Sequence, residues 1–140
     1  MSEPSRPVRV LFVCIENSNR SQMAEAFARE IGKGRVEAWS AGSKPSGRIH
    51  PRAIQSMHEK GIDLAGHASK SVADLPDVAF DAAVTMGCGD ACPRVRARVR
   101  EDWSIPDPRD LGPEEFRGVR DLIEARVQKL LDALLERSRV

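Results

Sequence analysis

The chain has 140 residues, 41% of them hydrophobic and 31% charged, which suits one domain over 1–140 with its own core. A formal net charge of +1 with acids and bases interleaved excludes bulk electrostatic binding to nucleic acid or an anionic bilayer. There is no repeat and no Gly/Ser-rich or Pro-rich spacer, and three cysteines make metal binding or redox catalysis better uses of thiols than a disulfide framework.

The first element is an apolar, β-branched run, Val8 to Cys14 (VRVLFVC), typical of a strand buried on both faces of a parallel sheet, with Arg9 at its solvent end. It is too short to cross a bilayer or to act as a signal peptide, so a cytoplasmic protein without membrane contact is expected. From Ser21 the period changes: Met23, Ala26, Phe27 and Ile31 recur at helical spacing, and Gly32 supplies a stop. Val36 to Gly42 predicts a second strand. HPRAIQSMHEKG predicts a short helix with His50 as cap, Pro51 in its first turn, His58 on its surface and Gly61 at its close.

Phe80 to Met86 (FDAAVTM) predicts a third core strand, which delivers the chain to GCGDACP. The basic run RVRARVR, Arg94 to Arg100, reads as a solvated strand or loop, or as a docking surface for an acidic partner. A fourth strand is expected near EDWSI, ending at PDPRD. The segment from Pro113 is the clearest helix, with Val119, Leu122, Ile123, Val127, Leu130, Leu131 and Leu134 as its apolar stripe. Trp39 and Trp103 are expected to pack in the core or at its rim.

Strands alternating with helices predict an α/β fold: a small doubly wound, four-stranded parallel sheet flanked by helices. Ligands bind such sheets beyond the carboxyl ends of the strands, so Cys14, the stretch from Gly87 to Cys92, and Asp107 are expected on one rim.

The loop CIENSNRS, Cys14 to Ser21, carries the chemistry. A thiol attacks as its thiolate, and both a helix N-terminus and an arginine favour that anion. The amides of Glu16, Asn17, Ser18, Asn19, Arg20 and Ser21 with the helix dipole make an anion site, and the Arg20 guanidinium matches two oxygens of a tetrahedral oxyanion. Asn17 tolerates a left-handed backbone, and Ser21 is placed to cap the helix or to bond the sulfur. Cys14 is thus expected to be a nucleophile inside a cradle for a tetrahedral, phosphate-like oxyanion.

This C-x5-R-S loop after the first strand resembles that of the low-molecular-weight protein tyrosine phosphatase superfamily, and NRSQMAEAF, WSAGSKPSG and DPR extend the likeness over nearly the whole chain. SQMAE, SAG followed by HPRAI, and TMGCGDACP are similar to the arsenate reductases that share that fold. The resemblance implies that Cys14 forms a thiol–arsenic adduct, that Cys88 and Cys92 carry a thiol relay, and that thioredoxin recycles the product disulfide. The C-x3-C pair is closer than in the thioredoxin-coupled branch, which leaves open the order of attack and recycling by mycothiol, or by glutathione with a glutaredoxin-like partner. A phosphatase would use the same loop without the pair, and an arsenite or metal sensor would use the three cysteines without Arg20 or Asp107. A C-x3-C zinc site, perhaps with His67, lacks a second paired motif. No cofactor and no bound metal is expected.

The resemblance also implies that Asp107 protonates the departing oxygen, since a carboxyl beside an anion holds its proton more readily. Asp110 is a weaker substitute and Asp90 a turn residue. Some similar reductases hold a potassium ion behind the loop with asparagine, glutamate, serine and aspartate. Asn17, Glu25 and Ser40 match the first three, and Lys70 stands where the aspartate is expected, so its ammonium is expected to replace the ion. Tyrosine is absent, and PDPRD lacks the aromatic grip for an aryl ligand that the related phosphatases carry.

Overall fold

Strand β1 (Val8–Cys14) forms where apolar side chains succeed one another almost without a polar break, and in the computed structural model, which describes residues 7–64, 66–87 and 95–137, it lies inside the sheet. It pairs in parallel with β2 (Val36–Gly42) on one side and β3 (Phe80–Thr85) on the other. β4 (Ala97–Asp102) joins β3, also in parallel, giving the order β2-β1-β3-β4. The chain leaves β1 toward one edge and returns on the other side of it. That reversal opens a crevice beyond the carboxyl ends of β1 and β3.

Alternate residues of each strand face opposite sides. Val8, Val10, Phe12 and Cys14 meet the buried faces of α1 (Arg20–Ile31), α2 (Pro51–His58) and α3 (Pro113–Arg137) in the main core. Leu11, Val13, Phe80 and Ala83 form a smaller cluster on the other face with Trp39, Leu75 and Val78. Trp103 is buried against Phe12 with ring centroids 6.0 Å apart, and Trp39 meets Phe80 edge-on at 5.5 Å. Both tryptophans pack, as their strand patterns predicted.

Four details differ from the sequence reading. The fourth strand lies at Ala97–Asp102, not around EDWSI: Ala97 and Val99 turn inward while Arg98 and Arg100 face solvent, so the basic run hid a period-two edge strand. Arg96 pairs with Asp77 at 2.8 Å and Arg98 with Asp81 at 3.9 Å, which makes this stretch of the run a solvated strand. In α3, Leu122 is exposed and falls off the edge of the apolar stripe, whereas Phe116 and the charged Arg120 are buried. Helix α1 begins one residue early, at Arg20, because Asn19 rather than Ser21 caps it, its side chain accepting from the Arg20 N–H at 2.5 Å. A 3₁₀ turn at Val72–Asp74, closed by a Ser71/Asp74 capping box, was not anticipated. Arg94, Cys88, Asp90 and Cys92 lie outside the described residues.

Candidate active site

Cys14 ends β1, and the loop to α1 is held from outside by its carbonyls. Those of Cys14, Ile15, Glu16 and Ser18 accept from the N–H groups of Ser43, Lys44, Ser46 and His50 at 3.3, 2.8, 3.1 and 2.9 Å, and that of Asn17 from the Gln22 side chain at 3.2 Å. In a trans peptide the N–H of the next residue points the opposite way. The amides of residues 15–19 therefore turn into the loop, making a nest for an anion at the start of α1. Asn17 takes the left-handed conformation at φ 52° that bends this nest, as expected of it. Gly42 lets β2 pass beneath, since a Cβ there would lie 2.6 Å from the Ile15 carbonyl oxygen.

Asn17 is the hub of the loop. Its Oδ1 accepts from the Lys70 N–H at 2.8 Å and from Gln22 Nε2 at 2.9 Å, which leaves its Nδ2 to donate to Ser21 Oγ at 2.8 Å. Ser21 Oγ lies 2.9 Å from Cys14 Sγ, so its own hydrogen is free to point at the sulfur. A hydroxyl donor aimed at sulfur stabilises the thiolate needed for attack. Gln22 Nε2 also donates to the Ala68 carbonyl at 2.8 Å, tying in the 66–71 segment.

Arg20 is 5% exposed, and its Nη1 donates to the Ile105 carbonyl at 3.1 Å while Nη2 lies 3.7 Å from Asp107 Oδ2. Its Nε is buried with no partner among the described residues, a donor suited to an oxyanion oxygen. Gly87, at φ +84°, borders the guanidinium so closely that a Cβ would meet Nη1 at 2.5 Å. The chain thus leaves β3 against the Arg20 head. Asp107 Oδ1 accepts from the Arg109 N–H at 3.0 Å and from Asn19 Nδ2 at 3.5 Å. Cys14, Arg20 and Asp107 line one small pocket of about 50 Å³ with Ile15, Glu16, Ser18, Asn19 and Arg109.

Behind the loop lies Glu25, a buried carboxylate met by Arg29 Nη2 at 2.5 Å, by the Ser40 hydroxyl and by Lys70 Nζ at 3.6 Å. Lys70 Nζ also donates to the Ala68 carbonyl at 2.9 Å and to Ser40 Oγ at 3.4 Å. The Lys70 ammonium thus stands among the same oxygens that the sequence pointed to for a cation. His67 Nδ1 sits 3.3 Å from Gln22 Oε1, and burial pushes its imidazole below the usual value against the opposing pull of Glu25. His50 caps α2 through Nδ1, which accepts from the Arg52 N–H at 3.1 Å.

Of the residues singled out from the sequence, the described structure brings Cys14, Glu16, Ser18, Asn19, Arg20 and Asp107 to one pocket; Asn17 and Ser21 do not line it but bond to each other beneath it, with Glu25, Ser40 and Lys70 in contact behind. Asp110 does not line that pocket, and Cys88 and Cys92 cannot be placed because they fall outside the described residues. Gln22, Ile105 and the Glu16–Arg109 pair were missed, because they depend on residues distant in sequence; Gly87, expected on this rim as the glycine ending a core strand, lies against Arg20.

The family model described as "Low molecular weight phosphotyrosine protein phosphatase" matches residues 9–140. A glutaredoxin arsenate reductase from Synechocystis sp. is 40% identical over 126 residues, 88% of this chain and 95% of that protein. Arsenate reductase 1 from Staphylococcus epidermidis is 38% identical over 123 residues, covering 85% of this chain and 92% of its own length. A solved structure of an arsenate reductase in the phosphate-binding state superposes with a TM-score of 0.83 at 38% identity, covering 90% of this chain and 98% of that one.

Proposed function

The chain belongs to the low-molecular-weight phosphotyrosine protein phosphatase family, and from that premise we propose that it is an arsenate reductase. The observation that carries this reading is the meeting of Cys14, Arg20 and Asp107 in one small pocket, in a chain so similar to named arsenate reductases. The Cys14 thiolate attacks arsenic while the loop amides and Arg20 hold the oxygens. Asp107 passes its proton to the departing oxygen, which leaves as water, and an S–As(V) bond remains.

Cys88 then attacks Cys14 Sγ. A disulfide forms, the S–As electron pair goes to arsenic, and arsenite leaves as As(III). Attack of Cys92 on Cys88 restores the Cys14 thiolate and moves the disulfide to Cys88–Cys92, where an external dithiol reduces it. What supports the relay is the sequence position of C-x3-C directly after Gly87, whose backbone borders Arg20. Thioredoxin is the proposed reductant; the name of the Synechocystis relative makes a glutaredoxin-linked thiol the other arm to test. Lys70 takes the place of a bound cation behind the loop. A cytoplasmic location follows from the need to keep three thiols reduced, and among the described residues no helix is long and apolar enough to cross a membrane.

The second reading, a phosphatase, is favoured by the family description itself, and the same loop suffices for it. NADPH oxidation separates the two: purified protein is supplied with arsenate, thioredoxin and thioredoxin reductase, beside a Cys88→Ser variant, and a parallel assay replaces thioredoxin by glutathione and glutaredoxin. Arsenate-dependent turnover that disappears in Cys88→Ser is the expected result. Turnover in neither assay, with an aryl phosphate hydrolysed equally by both proteins, sinks the reductase reading in favour of the phosphatase.

A further inference from the structure

Arg109 has no part in the chemistry described so far, and Glu16 enters it only through its backbone amide in the anion loop. In the fold these two, 93 positions apart, form an ion pair of 2.5 Å between Arg109 Nη1 and Glu16 Oε2 across the mouth of the Cys14 pocket, which both of them line. The Arg109 Nη2 atom lies 4.0 Å from Asp107 Oδ2, and Asp107 in turn lies 3.7 Å from Arg20 Nη2. Charges therefore alternate across the opening, from Glu16 through Arg109 and Asp107 to Arg20. The side chains of Arg109 and Glu16 are 51% and 34% exposed, so the pair contributes little to stability. Its consequence lies in where it sits.

Attack by Cys14 in line with the departing oxygen sends that oxygen outward, away from the sulfur and toward the acid that protonates it. With Asp107 as that acid, the outward direction is the side of the mouth spanned by Arg109 and Glu16. From arsenate the departing group is one oxygen with its protons, which fits beneath the pair. From an organic ester it is an oxygen bearing carbon, and an aryl group there must displace the guanidinium from its carboxylate, with no aromatic side chain among the described residues that line the pocket to receive it.

We propose that Glu16 and Arg109 form a specificity clasp that admits a free tetrahedral oxyanion and rejects its aryl esters. This rests on the reading of Cys14 and Asp107 given above and names the substrate class that the same site selects. Arg109 and Glu16 act on which leaving group fits, and they take no part in bond making.

The test compares kcat/KM for p-nitrophenyl phosphate with the inhibition constant of arsenate against that ester, in wild type, Arg109→Ala, Glu16→Gln and the charge-swapped Glu16→Arg/Arg109→Glu protein. Either single substitution is expected to shift the ratio toward the ester by about ten-fold, the scale on which pocket shape discriminates between substrates. The swapped pair, which rebuilds the bridge with reversed polarity, is expected to return the ratio toward wild type. Because the readout is a ratio, a merely structural loss, which weakens ester and arsenate alike, does not move it, and rescue by the swapped pair shows that the two residues act together. A ratio that is unchanged or falls in both single variants overturns the clasp, as does a swapped protein no different from them. If calorimetry shows arsenate bound by the wild type while no variant cleaves the ester, the clasp fails and the reductase reading stands. Failure of arsenate to bind the wild type removes the oxyanion site itself and the clasp with it.

Discussion

Asn17 shows how much one side chain carries in the oxyanion loop. It supplies the left-handed turn at φ 52° and links Ser21, Gln22 and the Lys70 backbone through both ends of its amide. Glycine keeps the turn and loses the links; alanine loses both, because its Cβ disfavours this backbone by about 1–2 kcal/mol. Asn17→Gly is therefore expected to destabilise through unsatisfied buried donors, by about 1–3 kcal/mol. Asn17→Ala should cost about 1–2 kcal/mol more than that. Urea unfolding of the two variants gives the difference directly, and equal stabilities would show that the turn is relaxed without asparagine. In both variants Ser21 loses the donor that orients it toward Cys14, so activity is expected to fall together with stability.

At the level of elements, α2 and α3 are joined by a charged clamp that was not legible in the sequence. Glu59, just beyond α2, accepts from Arg117 Nε and Nη2 at 2.9 Å each and from Arg120 Nη1 at 2.9 Å. Arg120 is buried in the stripe of α3 and also donates to the Ser56 carbonyl at 2.9 Å. The hydrogen bonds from Arg117 hold the Glu59 carboxyl at about 2, down from 4.5. Because the folded value is the lower one, the stability Glu59 contributes is complete above 4.5 and is lost as pH falls through about 2. Glu59→Gln removes the titrating group, so the gap in unfolding free energy between wild type and variant is expected to be constant above pH 4.5 and to shrink toward pH 2. Denaturant curves across that range check it, and a gap independent of pH would mean that the clamp does not discriminate between the charged and neutral carboxyl.

For the whole molecule, the buried Glu25 carboxylate is a constraint shared by α1, β2 and the 66–71 segment, because Arg29, Ser40 and Lys70 all converge on it. A buried charge left short of partners is costly, and Lys70 adds a second cation to the one that Arg29 supplies. If its ammonium replaces an ion, wild-type turnover is indifferent to potassium, and Lys70→Ala becomes both less stable and responsive to it. Melting temperature and turnover measured in potassium and in sodium salts decide this. A several-fold rise of wild-type activity on adding potassium would falsify the replacement.

The sequence by itself determined what depends on neighbours along the chain. The period-two and helical patterns placed three of the strands and the three main helices, and the spacing from Cys14 to Ser21 is local enough to announce a strand, an anion loop and a helix start. Even there it failed where two local signals overlapped: charge masked the alternation of β4, and one surplus leucine widened the stripe of α3. Only the tertiary structure decided which distant groups meet. Arg109 reaches Glu16, Ile105 steadies Arg20 and Gln22 binds Ala68 because the β2-β1-β3-β4 order gathers the strand ends on one rim. Periodicity reports the face on which a residue lies, whereas a contact between residues far apart in the chain depends on the packing of every element between them.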